Sequence, residues 1–225
     1  MHLTPVYPPL TAALVMLFLT AAASDDMEAW LEQDDDSRVQ LVNEGTLDFI
    51  QNVQDRRVLQ TRNWLTITPG SLHNGWVALH QCQSNLDPVA AVEVVYRYHE
   101  LRNLRVISSR KIEHAWVEQN SVQMVQVQEG GEVCIEAEVQ VLMPDGEGSY
   151  ALQSGPFHRR FLDGYYPVRL DYRIDWPADR LQLASVHPQQ QEGFTISDQP
   201  GELRIDTLFE GMLTIAIRFS APLKR

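Results

Sequence analysis

"VRLDYRIDW", residues 168–176, alternates without a break. Val168, Leu170, Tyr172, Ile174 and Trp176 fall on one side of an extended chain, and Arg169, Asp171, Arg173 and Asp175 on the other. A period of two marks a strand with one face against a core and one face in water. The outward residues also alternate in charge sign, which suits a solvated sheet surface with paired neighbours. Pro177 cannot donate to a strand ladder and closes the run.

The same period recurs on either side. In "AVEVVYRYH", residues 91–99, Val92, Val94, Tyr96 and Tyr98 share a face opposite Glu93, Arg97 and His99. In "VCIEAEVQV", residues 133–141, the apolar face is Val133, Ile135, Ala137, Val139 and Val141. "ELRIDTLF" and "MLTIAIRF" read as a closing hairpin about Glu210-Gly211. Turn dipeptides separate these runs: Pro69-Gly70, Asn74-Gly75, Gly130-Gly131, Asp145-Gly146, Asp163-Gly164 and Pro200-Gly201. Short strands with such punctuation predict a mainly β, antiparallel, sandwich-like fold. "MPDGEGS", residues 143–149, divides it into a β domain over 39–143 and a smaller β unit over 150–225, and reads equally as a long hairpin loop.

The first residues differ from the rest. Thr11 to Ala23 is a continuous apolar run with no acidic or basic side chain before Asp25. It is shorter than the roughly 20 residues that span a bilayer, and it ends in Ala21-Ala22-Ala23. That pattern predicts a signal peptide over 1–23, cleaved between Ala23 and Ser24, with no stable membrane span afterwards. The n-region lacks Lys and Arg, which leaves an uncleaved anchor as the alternative. Over 24–38 the spacing predicts a short helix, with Met27, Trp30 and Leu31 on one face, and then an acidic linker at Asp34-Asp35-Asp36.

Hydrophobic residues make up 44% of the 225 and charged residues 21%, enough apolar matter for a sizeable core. The formal net charge of −12 argues against nucleic acid and anionic lipid as partners, since both are bound by excess Lys and Arg.

The chain has two cysteines. In an exported protein such a pair is expected to be oxidised, and a Cys82–Cys134 bridge would contribute roughly 3–4 kcal/mol by closing its loop. The alternation complicates this expectation. Cys82 is in phase with Trp76, Ala78 and His80, whereas Cys134 is in phase with Glu136 and Glu138 rather than with the apolar residues of its strand. Either a bulge resets the strand or the bridge lies on a sheet surface. The competing reading uses His80 and Cys82, which as i and i+2 residues face the same way and can touch one metal ion. His73 and His99 are further candidate ligands, though no CxxC or HExxH motif supports them.

"FHRRFLDGYYP", residues 157–167, places His158, Arg159 and Arg160 beside Phe161, Tyr165 and Tyr166. Guanidinium forks next to aromatic faces suit a carboxylate, a sulfate, a sugar ring or a protein contact. The plainer alternative is a loop whose rings plug the core while its arginines pair locally. Glu118, Asp163 and Glu210 are acids near turns, and nothing in the linear order makes any two of them a catalytic pair. No nucleophile elbow, P-loop or dinucleotide fingerprint occurs. The expected protein is therefore exported, periplasmic or extracellular, and non-catalytic. It needs no cofactor and binds a partner protein or an envelope ligand. A metal-handling protein using His80 and Cys82 is the alternative, and a carboxylate hydrolase a more distant one.

Overall fold

The computed structural model describes residues 43–51, 58–146, 148–162 and 164–222. The expected signal peptide, its cleavage point at Ala23 and Ser24, the helix and linker over 24–38, and Asp163 lie outside them. The described residues form fifteen strands and one short helix. These are β1 (Asp48–Phe49), β2 (Leu59–Thr66), α1 (Ser71–Asn74), β3 (Trp76–Leu86), β4 (Val89–Val95), β5 (Leu101–Glu118), β6 (Ser121–Gln140), β7 (Leu142–Pro144), β8 (Ser149–Phe157), β9 (Arg159–Phe161), β10 (Gly164–Tyr166), β11 (Val168–Asp175), β12 (Gln182–His187), β13 (Phe194–Gln199), β14 (Glu202–Glu210) and β15 (Leu213–Ser220). The fold is mainly β.

The alternating stretch 168–176 supplies β11, an interior strand of a nine-stranded sheet ordered β1-β14-β11-β2-β3-β6-β4, with β13 added on β14 and β5 on β6. Leu170, Tyr172 and Ile174 are fully buried, as their phase requires. All pairings in this sheet are antiparallel except β11 with β2, which run parallel from Val168↔Leu59 to Asp175↔Thr66. Parallel neighbours need a long crossover, and here β3 to β10 intervene.

A second sheet, β12-β15-β8-β7, packs on the apolar face of the first. Leu213, Ile215, Ile217 and Phe219 of β15 are buried. Phe219 meets Trp176 edge-on at 5.2 Å between ring centroids. Tyr172 exchanges a buried hydroxyl hydrogen bond with Ser154 of β8 at 3.1 Å. Two sheets face to face around alternating inward side chains make a sandwich.

The predicted hairpin of residues 202–219 does not form. β14 pairs with β11 and β13, whereas β15 pairs with β8 and β12 in the other layer. Gly211, at φ +82°, lets the chain cross between layers. The physical reason is burial: the inward residues of both strands belong to one core, and stacking places them face to face where side-by-side pairing would not. β7 and β8 pair as a hairpin, with Leu142↔Leu152 and Pro144↔Tyr150. The nine-stranded sheet draws β2, β3 and β6 from before that hairpin and β11 and β14 from after it.

The long strand β6 pairs with β4 along its first half and β3 along its second, while β5 follows its other edge. Register shifts at Arg102/Arg105 and Arg110/Ile112 contain Asn103 and Lys111, both at positive φ. Such bulges bend a hairpin.

Candidate ligand site

The β2–β3–β6 region holds His80, Cys82 and Cys134. On the outer face, Cys82 and Cys134 stand directly opposite in the β3–β6 ladder, with Cα atoms 4.1 Å apart, and form a disulfide. The phase of Cys134 therefore persists: the bridge lies on the sheet surface, in line with Glu136 and Glu138, and no bulge turns it inward. Both cysteines are nonetheless less than 9% exposed, and their row is continued by Arg62 on β2 and Ser108 on β5. A disulfide of this kind points to an oxidising, extracytoplasmic compartment. Among the described residues no helix is long and apolar enough to cross a membrane.

His80 sits as its i+2 spacing predicts, with Nε2 3.5 Å from Cys82 Sγ and Nδ1 3.8 Å from Glu136. The ligand atoms of His80, Cys82 and Cys134 lie within 4.8 Å of one another. Metal ligation by cysteine uses the thiolate, and in the bridged state neither sulfur provides one. His73 and His99 do not join this group. His73 contacts the Pro69 carbonyl from α1, and His99 lies 3.9 Å from Glu100.

The rest of the outer face is a lattice of ion pairs. Arg105 binds Glu136, Arg102 binds Glu138 at 3.0 Å, Arg110 binds Glu132 at 2.5 Å, and Arg173 binds Glu202 at 2.8 Å. Arg102 and Asn103 hydrogen bonds hold the Glu138 carboxyl below its usual range, and Arg204 does the same for Glu202. Arg173 stacks 4.4 Å over the Trp64 ring, whose indole donates to Asp175 at 2.6 Å. These groups are exposed or half-buried at the solvent face, where each such pair contributes little to stability.

The inner face opens into a cavity of about 310 Å³. Its walls are β2 and β3, the edge strand β4 with its Tyr96–Tyr98 extension, and the segment Gly155–Phe161. Gly155, at φ +102°, sits where β8 shifts register against β15, and a Cβ there would come within 2.6 Å of the Leu213 carbonyl. Val92, Val94, Leu86 and Phe157 give the cavity apolar walls. Along the inward phase of β2 and β3 polar residues replace aliphatic ones: Thr61, Gln81 and Gln83 on the cavity wall, and Asn63 buried beside them. Tyr96 donates to Gln81 Oε1 at 3.0 Å, and Gln81 Nε2 donates to Asn63 Oδ1 at 2.7 Å. The buried Asn63 Nδ2 has no hydrogen-bond partner among the described residues. A buried amide chain tolerates little rearrangement, because each unpaired group costs about 1–3 kcal/mol.

Three phenols cluster here. Burial pushes Tyr98 up to about 12, and burial with the neighbouring Tyr98 raises Tyr96 further. Tyr172 is raised chiefly by burial. The unfolded chain ionises its phenols near 10, so stability is intact below that value and is lost as pH climbs from 10 through about 12. In an alkaline titration these phenols should ionise together with unfolding. Full phenolate absorbance near pH 10 from a chain with native circular dichroism would refute their burial.

The sequence-predicted patch forms the rim of this cavity. β9 and β10 make a small hairpin, with Arg160↔Tyr165 and Arg159↔Tyr166. Arg159 pairs with Asp87, its side chain only 14% exposed, and lies against the rings of Phe161 and Tyr166 at 5.2 and 5.6 Å. Arg160 is exposed and stacks on Tyr165 at 5.6 Å. His158 meets Tyr165 edge-on. Partial desolvation, reinforced by Arg97 and Arg160, holds the His158 imidazole below its usual basicity. The structure thus brings His158, Arg159, Arg160 and Phe161 to the cavity and sets Tyr165 and Tyr166 behind them. Glu118 is exposed at the end of β5, and Glu210 ends β14. The two acids that line the cavity, Asp87 and Glu93, are held by Arg159 and Gln123 respectively.

Sequence reasoning did not single out Thr61, Asn63, Gln81 or Asp87. A signal for the first three existed: in "TRNWL" and "VALHQCQ" polar residues occupy the phase of Leu65, Val77 and Leu79. The Asp87–Arg159 pair spans 72 residues and left no local trace.

No protein-family model matches this chain, and no curated protein matches it. Among solved structures it is similar to an M1 zinc metallopeptidase mutant from Deinococcus radiodurans bound to a Tyr-Ser-Ala substrate, with a TM-score of 0.42 and 12% identity over 80% of this chain and 43% of that one. A two-domain M1 zinc metallopeptidase mutant bound to L-tryptophan gives a TM-score of 0.42 and 14% identity over 80% and 44% of the two chains. The chain spans less than half the length of these structures. Likeness at this level carries no inference about activity.

Proposed function

We propose that this is an exported, non-catalytic binding protein of the periplasm or extracellular space, and that the cavity beneath the Gly155–Phe161 segment takes a small, mainly apolar envelope ligand. The observation that carries this reading is the cavity itself. Its volume of about 310 Å³ falls at the lower end of small-molecule sites, and its make-up of apolar walls with a few convergent polar groups is typical of them. The disulfide supports the compartment.

The test uses the exported, purified protein and the neutral dye N-phenylnaphthylamine, which fluoresces in apolar surroundings. Fluorescence enhancement with saturable binding is expected for the native chain. Val92→Trp or Val94→Trp, each on the edge strand β4 and on the cavity wall, should abolish it while leaving the thermal unfolding transition in place. Absence of saturable binding to the folded native chain would refute the cavity reading. Intact mass on the same sample checks the export half: the chain should start at Ser24 and weigh two hydrogens less than the reduced form.

A further inference from the structure

We propose that the ligand of this cavity carries an anionic head, a carboxylate on an acyl or aryl body, held at the rim by Arg97 and Arg160. The inference rests on the cavity reading above and adds the chemistry of the ligand.

It comes from an accounting of the arginines. In a chain of formal charge −12, cations find partners easily. Among the described residues, Arg62, Arg102, Arg105, Arg110, Arg159, Arg169, Arg173, Arg180, Arg204 and Arg218 each lie within ion-pair distance of a carboxylate. Arg97 and Arg160 have no such partner among the described residues, and both line the cavity. The acids nearest to hand are already engaged, Asp87 by Arg159 and Glu93 by the Gln123 amide. Both unpaired guanidiniums are exposed, and both bear on His158. Like charges gathered at one rim repel, and an anion placed between them turns that repulsion into attraction.

The identity of the head follows from the donors. Guanidinium forks match the two oxygens of a carboxylate, and hydrogen bonds to a charged acceptor are stronger than neutral ones. His158, kept less basic than usual, leaves the charge recognition to the arginines. The body follows from the walls: Val92, Val94 and Phe157 offer an apolar lining that suits one acyl chain or a fused aromatic. The cavity is too small for a two-chain lipid.

A matched pair of probes isolates the charge. Anilinonaphthalene sulfonate is N-phenylnaphthylamine with one added sulfonate, and it stays ionised at all working pH values. The native chain should bind the sulfonate about tenfold more tightly than its neutral twin. Arg97→Gln with Arg160→Gln should weaken the sulfonate by about 10- to 100-fold, from two charge-assisted contacts, and change the neutral dye less than about twofold. Decanoate should displace the sulfonate dye from the native chain and not from the double variant. If both dyes bind alike and the double variant affects neither, the anionic head is refuted while the cavity reading stands. If decyl phosphate competes far better than decanoate, the carboxylate assignment is overturned. If neither dye binds the folded native chain, both readings fail together.

Discussion

Replacing Cys82 and Cys134 together by alanine is expected to lower the unfolding free energy by about 3–4 kcal/mol, the loop-closure entropy restored to the unfolded chain. The bridge spans 52 residues. The two positions are already directly opposed in the β3–β6 ladder, so the ladder itself holds them in place once the sulfurs are gone. The loss should therefore come from the unfolded state, with native hydrogen bonding and dye binding unchanged. Urea unfolding of the double variant and of the reduced native chain should give the same midpoint shift. A loss below about 1 kcal/mol in both would mean that the crosslink adds nothing the sheet does not already enforce.

Phe219→Ala should cost about 3–5 kcal/mol, the usual range for deleting a fully buried ring from a core that cannot collapse around the gap. Phe219 is 1% exposed and is the inter-sheet partner of Trp176. Its loss removes contacts between the two layers while leaving the ladders within each layer intact. The near-ultraviolet signal of Trp176 should weaken before the far-ultraviolet strand signal does. Phe161→Ala, at an exposed ring on the β9 hairpin, serves as the comparison and should stay within about 0.5 kcal/mol of the native chain. Equal losses for the two substitutions would contradict the assignment of β15 to a layer packed under β11.

The fold class was legible because its signal is local. Residues 168–176 and 133–139 bury the residues their alternation assigns inward, and along 91–98 that face is buried at Tyr96 and half-buried at Val92, Val94 and Tyr98. The position of Cys134 on the polar phase of its strand was legible too, and it left two readings, a bulge or a surface bridge, of which the ladder shows the second. What escaped was whatever depends on partners distant in sequence. The residues 202–219 look like a hairpin because alternation gives the face of each strand and says nothing about which layer it joins. The parallel pairing of β11 with β2 leaves no mark in either segment. The candidate site divides in the same way. The segment 157–166 was visible by composition, but the role of Arg159 depended on Asp87, which lies in a turn far upstream. The polar residues on the inner faces of β2 and β3 were visible as interruptions of an apolar phase. Their meaning appears only when β4 and the Gly155–Phe161 segment close over them.

The parallel seam between β2 and β11 also sets an order of events. Trp64 and Asp175, joined across it by a hydrogen bond, are 111 residues apart in the chain. During synthesis, β2 emerges early and must wait with one edge unpaired until β11 arrives. At ordinary rates of about 5–20 residues per second that wait lasts roughly 5 to 20 seconds. Throughout it, "LQTRNWLT" offers a free row of backbone donors and acceptors to any neighbouring extended chain. The arginine at position 62 and the amide at 63 interrupt its apolar character. In the finished sheet they serve the outer ion-pair lattice and the inner amide chain. In the unfinished one they make β2 a poorer template for aggregation.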